Sequence, residues 1–307
     1  MRIEEKRFAA SGKIVVVVPT RNRSALLRNL LGMIRNSNLH PICTIVVDSS
    51  DNFEDLSDDY LDLKLEHVYS PIKSAAIQRN IGIQKAIGIV NDFDFVSFLD
   101  DDIEIKPNYF EKVSTRLSQN PKFIGISGIA MSNRNSLRKE NLLTNLIGLT
   151  GKPGSLTKAI VNISPSGLEK FEEVDWLIGC SVWRKEVIDV FQFESDFKGQ
   201  SLFEDVIFSY RARVLGKIGC DPTIELKHLF SSQERPGTQD HYTAWVVNRF
   251  RIFKYASGEF SKIAFWFLNF ILLIVSLAKS ICSKEDRLKS KGLIIGFLSV
   301  LIPGRNN

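Results

Sequence analysis

Residues 14–18 read Ile-Val-Val-Val-Val and are cut off by Pro19. Five β-branched residues with no polar interruption cannot divide between a wet and a dry face, so the run predicts a strand buried on both sides. Such a strand belongs in a parallel sheet sandwiched by helices, and the next residues supply one. Residues 24–35 carry leucines and isoleucine at helical spacing, with Ser24 placed to cap them. Thr44, Ile45, Val46 and Val47 predict a second buried strand ending at Asp48, and residues 65–70 a third. A helix is expected over 74–88, a strand over 95–99, a helix from Pro107 to Gln119, and a glycine-interrupted strand over 123–130. This alternation predicts an α/β sheet with helices on both faces and a ligand crevice at the carboxyl ends of the strands.

Beyond it, residues 132–170 are rich in Ser, Asn and Gly and read as an irregular region. Order is expected again over 174–183, with helices over 184–191 and 204–215. Residues 217–229 are strand-like but interrupted at Pro222, and 240–257 form an aromatic, arginine-rich helix.

Polar residues cluster where the predicted strands end. Asp100, Asp101 and Asp102 directly follow a buried strand, where three carboxylates repel one another unless a cation neutralises them. Hard carboxylate oxygens suit Mg2+ or Mn2+, which take one or two ligands from protein and the rest from phosphates and water. Side chains alternate along a strand, so Asp100 and Asp102 are expected on one side. Glu204 and Asp205 open a predicted helix, whose dipole keeps a carboxylate ionised, as a general base requires. The stretch from Pro19 through Thr20 and Arg21 to Arg23 follows the first strand and Asp48 the second, together able to read a base and ribose. Arg79 lies in a helix where it can meet a diphosphate, and His228 ends a late strand. Each segment alone is also what an ordinary turn, cap or solvated helix face looks like.

The segments as a set, in order, resemble family-2 glycosyltransferases of the GT-A fold. The matching pieces are IVVVVPTRNR (14–23), TIVVDSSD (44–51), SAAIQRNIGI (74–83), FVSFLDDDIEIKPNYFE (95–111), VDWLIGCSVWRKEVI (174–188) and FEDVIFSYRARVLG (203–216), spanning roughly residues 13–255. The nearest flavour is the rhamnosyltransferase-like branch that builds bacterial surface polysaccharides. The turn after the second strand departs from the family's usual DDGS, reading Asp48-Ser49-Ser50-Asp51.

The resemblance implies a mixed, mostly parallel sheet flanked by helices, with a catalytic domain over 1–257 and a helical tail over 258–307. Residues 13–130 would be the nucleotide-sugar half and 131–257 the acceptor half. It implies that Pro19, Thr20, Arg21, Asp48, Arg79, Asp100 and Asp101 bind a UDP-, dTDP- or GDP-sugar. Asp102, Asp100 and His228 would hold Mg2+ or Mn2+, Asp205 would be the catalytic base beside Glu204, and Trp176, Gly179 and Cys180 would line the acceptor side. The reaction implied is inverting transfer to a glycan or lipid-linked acceptor. Two rivals remain: a metal-dependent nucleotidyltransferase, and an inactive membrane-surface scaffold of the same fold. The first strand is not followed by GxGxxG, which argues against a dinucleotide dehydrogenase.

The formal net charge of +5 hints at a polyanion partner, but it is unevenly placed. Residues 249–307 hold ten basic and three acidic residues, leaving 30 basic and 32 acidic in residues 1–248. A slightly acidic catalytic region argues against nucleic acid. The basic tail interleaves its charge with apolar runs at 263–278 and 293–302. The first is too short for a comfortable span of a roughly 30 Å hydrocarbon core. Cations on both of its sides predict an interfacial or re-entrant helix at the cytoplasmic face of a membrane. A core hairpin or a dimer contact is one alternative, and a true span the other. Cys43, Cys180, Cys220 and Cys282 lie far apart and predict reduced thiols, and the N-terminal stretch shows no export-signal pattern.

Overall fold

The computed structural model describes residues 12–131, 150–197, 201–229 and 237–302. The expected β-branched run forms β1 (Ile14–Thr20), and all seven of its residues are buried. It pairs in parallel with β2 (Cys43–Asp48) on one side and β4 (Phe95–Phe98) on the other, and β2 pairs in parallel with β3 (Leu65–Tyr69). Helices α1 (Ser24–Arg35) and α2 (Ala75–Ile89) lie between these strands in sequence, and α3 (Tyr109–Gln119) follows them. The sheet continues through β5 (Ile103–Ile105), β6 (Phe123–Met131), β7 (Glu172–Glu173), β8 (Ser181–Arg184) and β9 (Lys217–His228). Its order is β3-β2-β1-β4-β8-β6-β9-β5, with β7 on the side of β9. β8 runs antiparallel to both β4 and β6, so the sheet is mixed. Two apolar layers, one on each face of β1, hold the strands. Val15 and Val17 join one layer, and Ile14, Val16 and Val18 the other.

The register brings the chemistry to one edge. Thr20 is paired with Asp48 and Val17 with Phe98, so the carboxyl ends of β1, β2 and β4 finish together. Ser24 does not cap α1. It is the first helical residue, and Arg23 takes the cap position without a side-chain cap bond, because its guanidinium is used elsewhere. Pro222 does not break β9. The register against β6 jumps from Ser127↔Cys220 to Ile129↔Glu225, a bulge that absorbs the proline. Asp221 holds the bulge, accepting from Thr223 N–H at 2.9 Å and from Arg116 Nε at 2.6 Å.

Two further helices, α4 (Lys185–Val190) and α5 (Glu204–Ala212), pack behind the sheet end, and α6 (Thr238–Arg251) leads to a helical hairpin. The hairpin is α7 (Lys262–Lys279) and α8 (Lys284–Leu301), capped by Ser261 and Ser283. The short apolar run expected at 293–302 is thus the second half of a longer helix. α8 approaches α6 so closely that a Cβ on Gly292 would sit 2.3 Å from Gln239 O. Thr243 Oγ1 donates to Gly292 O across the same contact, at 3.2 Å. Of the irregular region expected at 132–170, residues 132–149 lie outside the described residues. The remainder contains a tight turn in which Thr157 N–H donates to Val161 O at 3.0 Å. Cys43, Cys180 and Cys220 are buried free thiols, and Cys282 is an exposed one.

Arg249 fastens α6 to that turn. It is fully buried, donates from Nε to Ile160 O at 2.6 Å and from Nη2 to Ala159 O, and lies 3.8 Å from the centre of the Trp245 ring. Asn269 of α7 accepts from its Nη1 at 3.4 Å. Burial pulls the guanidinium down to about 9. Ile160 has φ 59, a left-handed backbone that a β-branched residue rarely takes, and the Arg249 bond to its carbonyl holds it there. Arg249→Met leaves two carbonyls without donors, and Lys cannot replace the planar fork. Denaturant unfolding is expected to show each variant about 2–4 kcal/mol less stable.

Candidate active site

A cleft of about 610 Å³ opens at the shared strand edge. Pro19, Thr20, Arg21 and Arg23 enter from β1, Gln78 and Arg79 from α2, and Asp100, Asp101 and Asp102 from the turn after β4. Trp176 and Gly179 precede β8, Glu204 and Asp205 open α5, and His228 ends β9. Residues scattered from 19 to 228 therefore meet because their strands end on one side of the sheet.

The three aspartates have different partners. Asp100 accepts from Arg79 Nη2 at 2.7 Å, and its backbone N–H donates to Cys180 Sγ at 3.3 Å. Asp101 accepts from Thr20 Oγ1 at 2.7 Å and from Arg23 Nη1 at 2.9 Å. Burial still raises its carboxyl to about 6 against those bonds. Asp102 is buried between Arg23 Nη1, 3.3 Å from Oδ2, and His228 Nε2, 3.5 Å from Oδ1. The repulsion foreseen among the aspartates is thus reduced by Arg79 and Arg23, though Asp102 still raises Asp101.

Glu204 and Asp205 are also set apart. Arg79 Nη1 donates to Glu204 Oε1, and the buried Oε2 has no hydrogen-bond partner among the described residues. Asp205 accepts from Val206 N–H at 2.8 Å and forms no ion pair among the described residues. Burial raises its carboxyl to about 6, against the backbone hydrogen bond and the nearby Arg79 charge. The chain enters α5 through Phe203 at φ 77 and Ser201 at φ 53. Left-handed backbone at a bulky aromatic costs on the order of 1–2 kcal/mol. It turns the first residues of α5 towards the cleft, where both carboxylates line the wall.

Gly179 lets this centre close. A Cβ there would come within 2.9 Å of Arg79 Nη2 and 3.6 Å of Asp100 Oδ2. Gln78 is buried and donates to the carbonyls of Thr20 and Val47, at 2.7 Å each, which ties the ends of β1 and β2 together.

Two expected residues do not line the cleft. Asp48 turns inward: Oδ1 accepts from Ser50 N–H at 2.7 Å, and Oδ2 faces His67 Nε2 at 3.4 Å. Burial pushes its carboxyl up, but His67 and Ser50 outweigh it and hold it below the ordinary value. Cys180 is buried, with its thiol pushed well up by burial and occupied with Asp100 N–H. Arg23, in the stretch expected after the first strand, emerges as the partner of two aspartates. Asn162 on the 157–163 turn and His241 and Trp245 on α6 are among the cleft residues that went unforeseen, and their signal is weak because none of these three follows a predicted strand.

Among the described residues, no three His, Cys, Asp or Glu side chains form a ready-made metal site. Asp102, Asp100 and His228 offer two carboxylates and an imidazole along the wall of a roomy cleft, Asp102 itself being buried. That set fits a hard divalent cation that takes its other ligands from a diphosphate and water.

The sequence model described as glycosyl transferase family 2 matches residues 15–167, the stretch that carries β1 to β6 and the three aspartates. The chain belongs to glycosyl transferase family 2. No curated protein sequence matches it. Solved structures with the same GT-A architecture include a mannosyltransferase, PcManGT from Pyrobaculum calidifontis, in complex with GDP-Man and Mn2+. It has a TM-score of 0.58 and 14 % identity, over 96 % of this chain and 88 % of that one. S. aureus TarS 1–349 in complex with UDP-GlcNAc has a TM-score of 0.55 and 15 % identity, over 94 % and 82 % of the two chains. GalNAc-T7 with UDP, GalNAc and Mn2+ has a TM-score of 0.55 and 14 % identity, over 81 % of this chain and 51 % of that one. At these identities the likeness is one of fold.

Proposed function

We propose that this family member moves a hexose or deoxyhexose from a UDP-, dTDP- or GDP-sugar to a hydroxyl of a glycan or lipid-linked acceptor, by a single inverting displacement. The observation that carries this reading is the division of the Glu204–Asp205 pair. Glu204 is locked to Arg79 by a direct ion pair, whereas Asp205 faces the cleft, feels the Arg79 charge only through space, and has a carboxyl raised to about 6. Such a group is mostly ionised near pH 7, yet basic enough to share a proton.

Asp205 removes the proton from the acceptor hydroxyl. The freed oxygen pair attacks the anomeric carbon, and the bond from that carbon to the diphosphate oxygen breaks on the opposite face. The nucleoside diphosphate leaves with the bonding electrons. Arg79, held by Asp100 and Glu204, keeps positive charge beside it. The unpartnered Oε2 of Glu204 accepts from a sugar hydroxyl. Asp102, Asp100 and His228 would hold Mg2+ or Mn2+, which would supply charge neutralisation for the leaving diphosphate. The Trp176 ring and Gly179 line the acceptor side. The role in polysaccharide synthesis follows from such an acceptor, and GDP-Man and UDP-GlcNAc in two structures of the same fold support the donor class.

A panel of nucleotide-sugars with Mg2+ or Mn2+ and lipid-linked acceptors tests the reading. Release of a nucleoside diphosphate with one donor is the expected result. A parallel arm offers a nucleoside triphosphate with a sugar 1-phosphate: pyrophosphate release there would make the chain a nucleotidyltransferase, and binding without turnover in either arm would leave an inactive scaffold.

A further inference from the structure

The α7–α8 hairpin packs through one face only. Phe265, Leu268, Asn269 and Ser276 of α7 are buried, as are Ser290, Leu293 and Gly296 of α8. The two helices are joined by Ser290 Oγ donating to Ser276 Oγ at 2.9 Å and by Trp266 stacked on Phe297. Opposite that face runs an exposed stripe of Ile263, Phe267, Phe270, Ile274, Leu277 and Ile281, with no partner among the described residues. Its spacing of four and three residues keeps Ile263 to Leu277 on one side of α7 for four turns, and Ile281 continues it in the turn beyond. Ile263 and Ile281 at its ends are 83 % and 84 % exposed. Every exposed position from 263 to 278 is apolar, and Ile294, Ile295, Leu298 and Leu301 extend the surface onto α8. Contiguous apolar area of this kind is rare on a monomer facing water.

We infer that this face is a docking surface for an anionic lipid bilayer. The charges around it decide the occupant. Lys262 and Lys279 bracket the stripe on α7, and Lys284, Arg287 and Lys291 are exposed at the start of α8 beside the single exposed acid, Glu285. A second copy would bring cation against cation, since both ends of the stripe are positive whether the helices meet parallel or antiparallel. Anionic headgroups instead satisfy that rim while the apolar face enters the acyl boundary. The hairpin lies flat. α7 is the helix long and apolar enough to cross a membrane among the described residues, but its inner face is already committed to Arg249 and the 159–161 turn. Tip-first entry would drag the cations of the hairpin turn through hydrocarbon. Docking also has a geometric consequence, which rests on the transfer reading: α6, gripped by α8, carries His241 and Trp245 into the cleft, so a docked hairpin holds the cleft beside lipid-linked acceptors.

The test is flotation of the full chain with phosphatidylcholine vesicles, with and without phosphatidylglycerol, paired with analytical ultracentrifugation without lipid. The expected results are a monomer and strong binding to anionic vesicles that weakens with salt. Lys284→Gln/Arg287→Gln/Lys291→Gln should weaken that binding by about 100-fold. Phe267→Glu/Phe270→Glu should abolish it with an unchanged melting temperature, because both side chains are exposed. A lipid-free dimer dissolved by that same double variant would assign the face to a second copy and overturn the proposal. A chain blind to vesicles, or vesicle binding that survives the double variant, would overturn it too. None of these readouts involves sugar transfer, so failure of that reading leaves the docking result standing.

Discussion

Asp205→Asn lowers sugar transfer by on the order of 10³-fold or more, while affinity for the nucleotide-sugar stays within about threefold. Asn keeps the shape of the side chain and can still accept from Val206 N–H, so the start of α5 is preserved. What it loses is the ability to take a proton. The same carboxyl sets the acid limb of the parent enzyme. Burial raises it from 3.8 to about 6, so kcat/KM falls as pH drops through about 6 and Asp205 becomes protonated. The sign of the stability effect separates this from a structural role. A raised carboxyl holds its proton more tightly in the folded state, so ionising it costs stability as pH climbs between those two values. Removing the charge should therefore leave the melting temperature at pH 7 unchanged or higher. A dead variant with a lower melting temperature would indicate damage to α5, and an active one would remove Asp205 from the chemistry.

Much of this arrangement was legible in the residues, for identifiable reasons. A run such as Ile14–Val18 has one stable home, a strand buried on both faces, and parallel neighbours put their carboxyl ends on one edge. That alone places Thr20, the aspartates after β4 and the start of α5 near one another. What was hidden depends on register and on distant packing. Arg23 reads as the residue before a helix, and only the alignment of β1 with β4 shows it bonded to Asp101 and Asp102. Asp48 stands at a strand end like its neighbours, yet His67 on β3 and Ser50 claim its oxygens. His241 and Trp245 reach the cleft because Arg249 and α8 fix the position of α6, through contacts that no local pattern encodes. The bulge at Pro222 depends on Asp221 finding Arg116, a residue on another element.

The opposite pairing of effects is expected at Asp102. Asp102→Asn should weaken Mn2+ binding, measured by calorimetry with the nucleoside diphosphate present, by about 100-fold or more, because a neutral amide is a poor ligand for a hard cation. Transfer should fall by on the order of 10³-fold with it, as charge on the departing diphosphate loses its partner. Without metal the variant should be no less stable than the parent. Asp102 is a buried carboxylate next to Asp101, which burial already raises to about 6, and removing one of the two charges eases their repulsion. Asn retains an oxygen to accept from Arg23. The gain in melting temperature that Mn2+ and nucleotide give the parent should shrink in the variant, since stabilisation by a ligand follows its affinity. Asp205→Asn must keep that gain in full. The two variants thus divide the cleft: one side holds charge for the leaving group and the other takes the proton. A metal response lost in both, or in neither, would show that the carboxylates are not divided in that way.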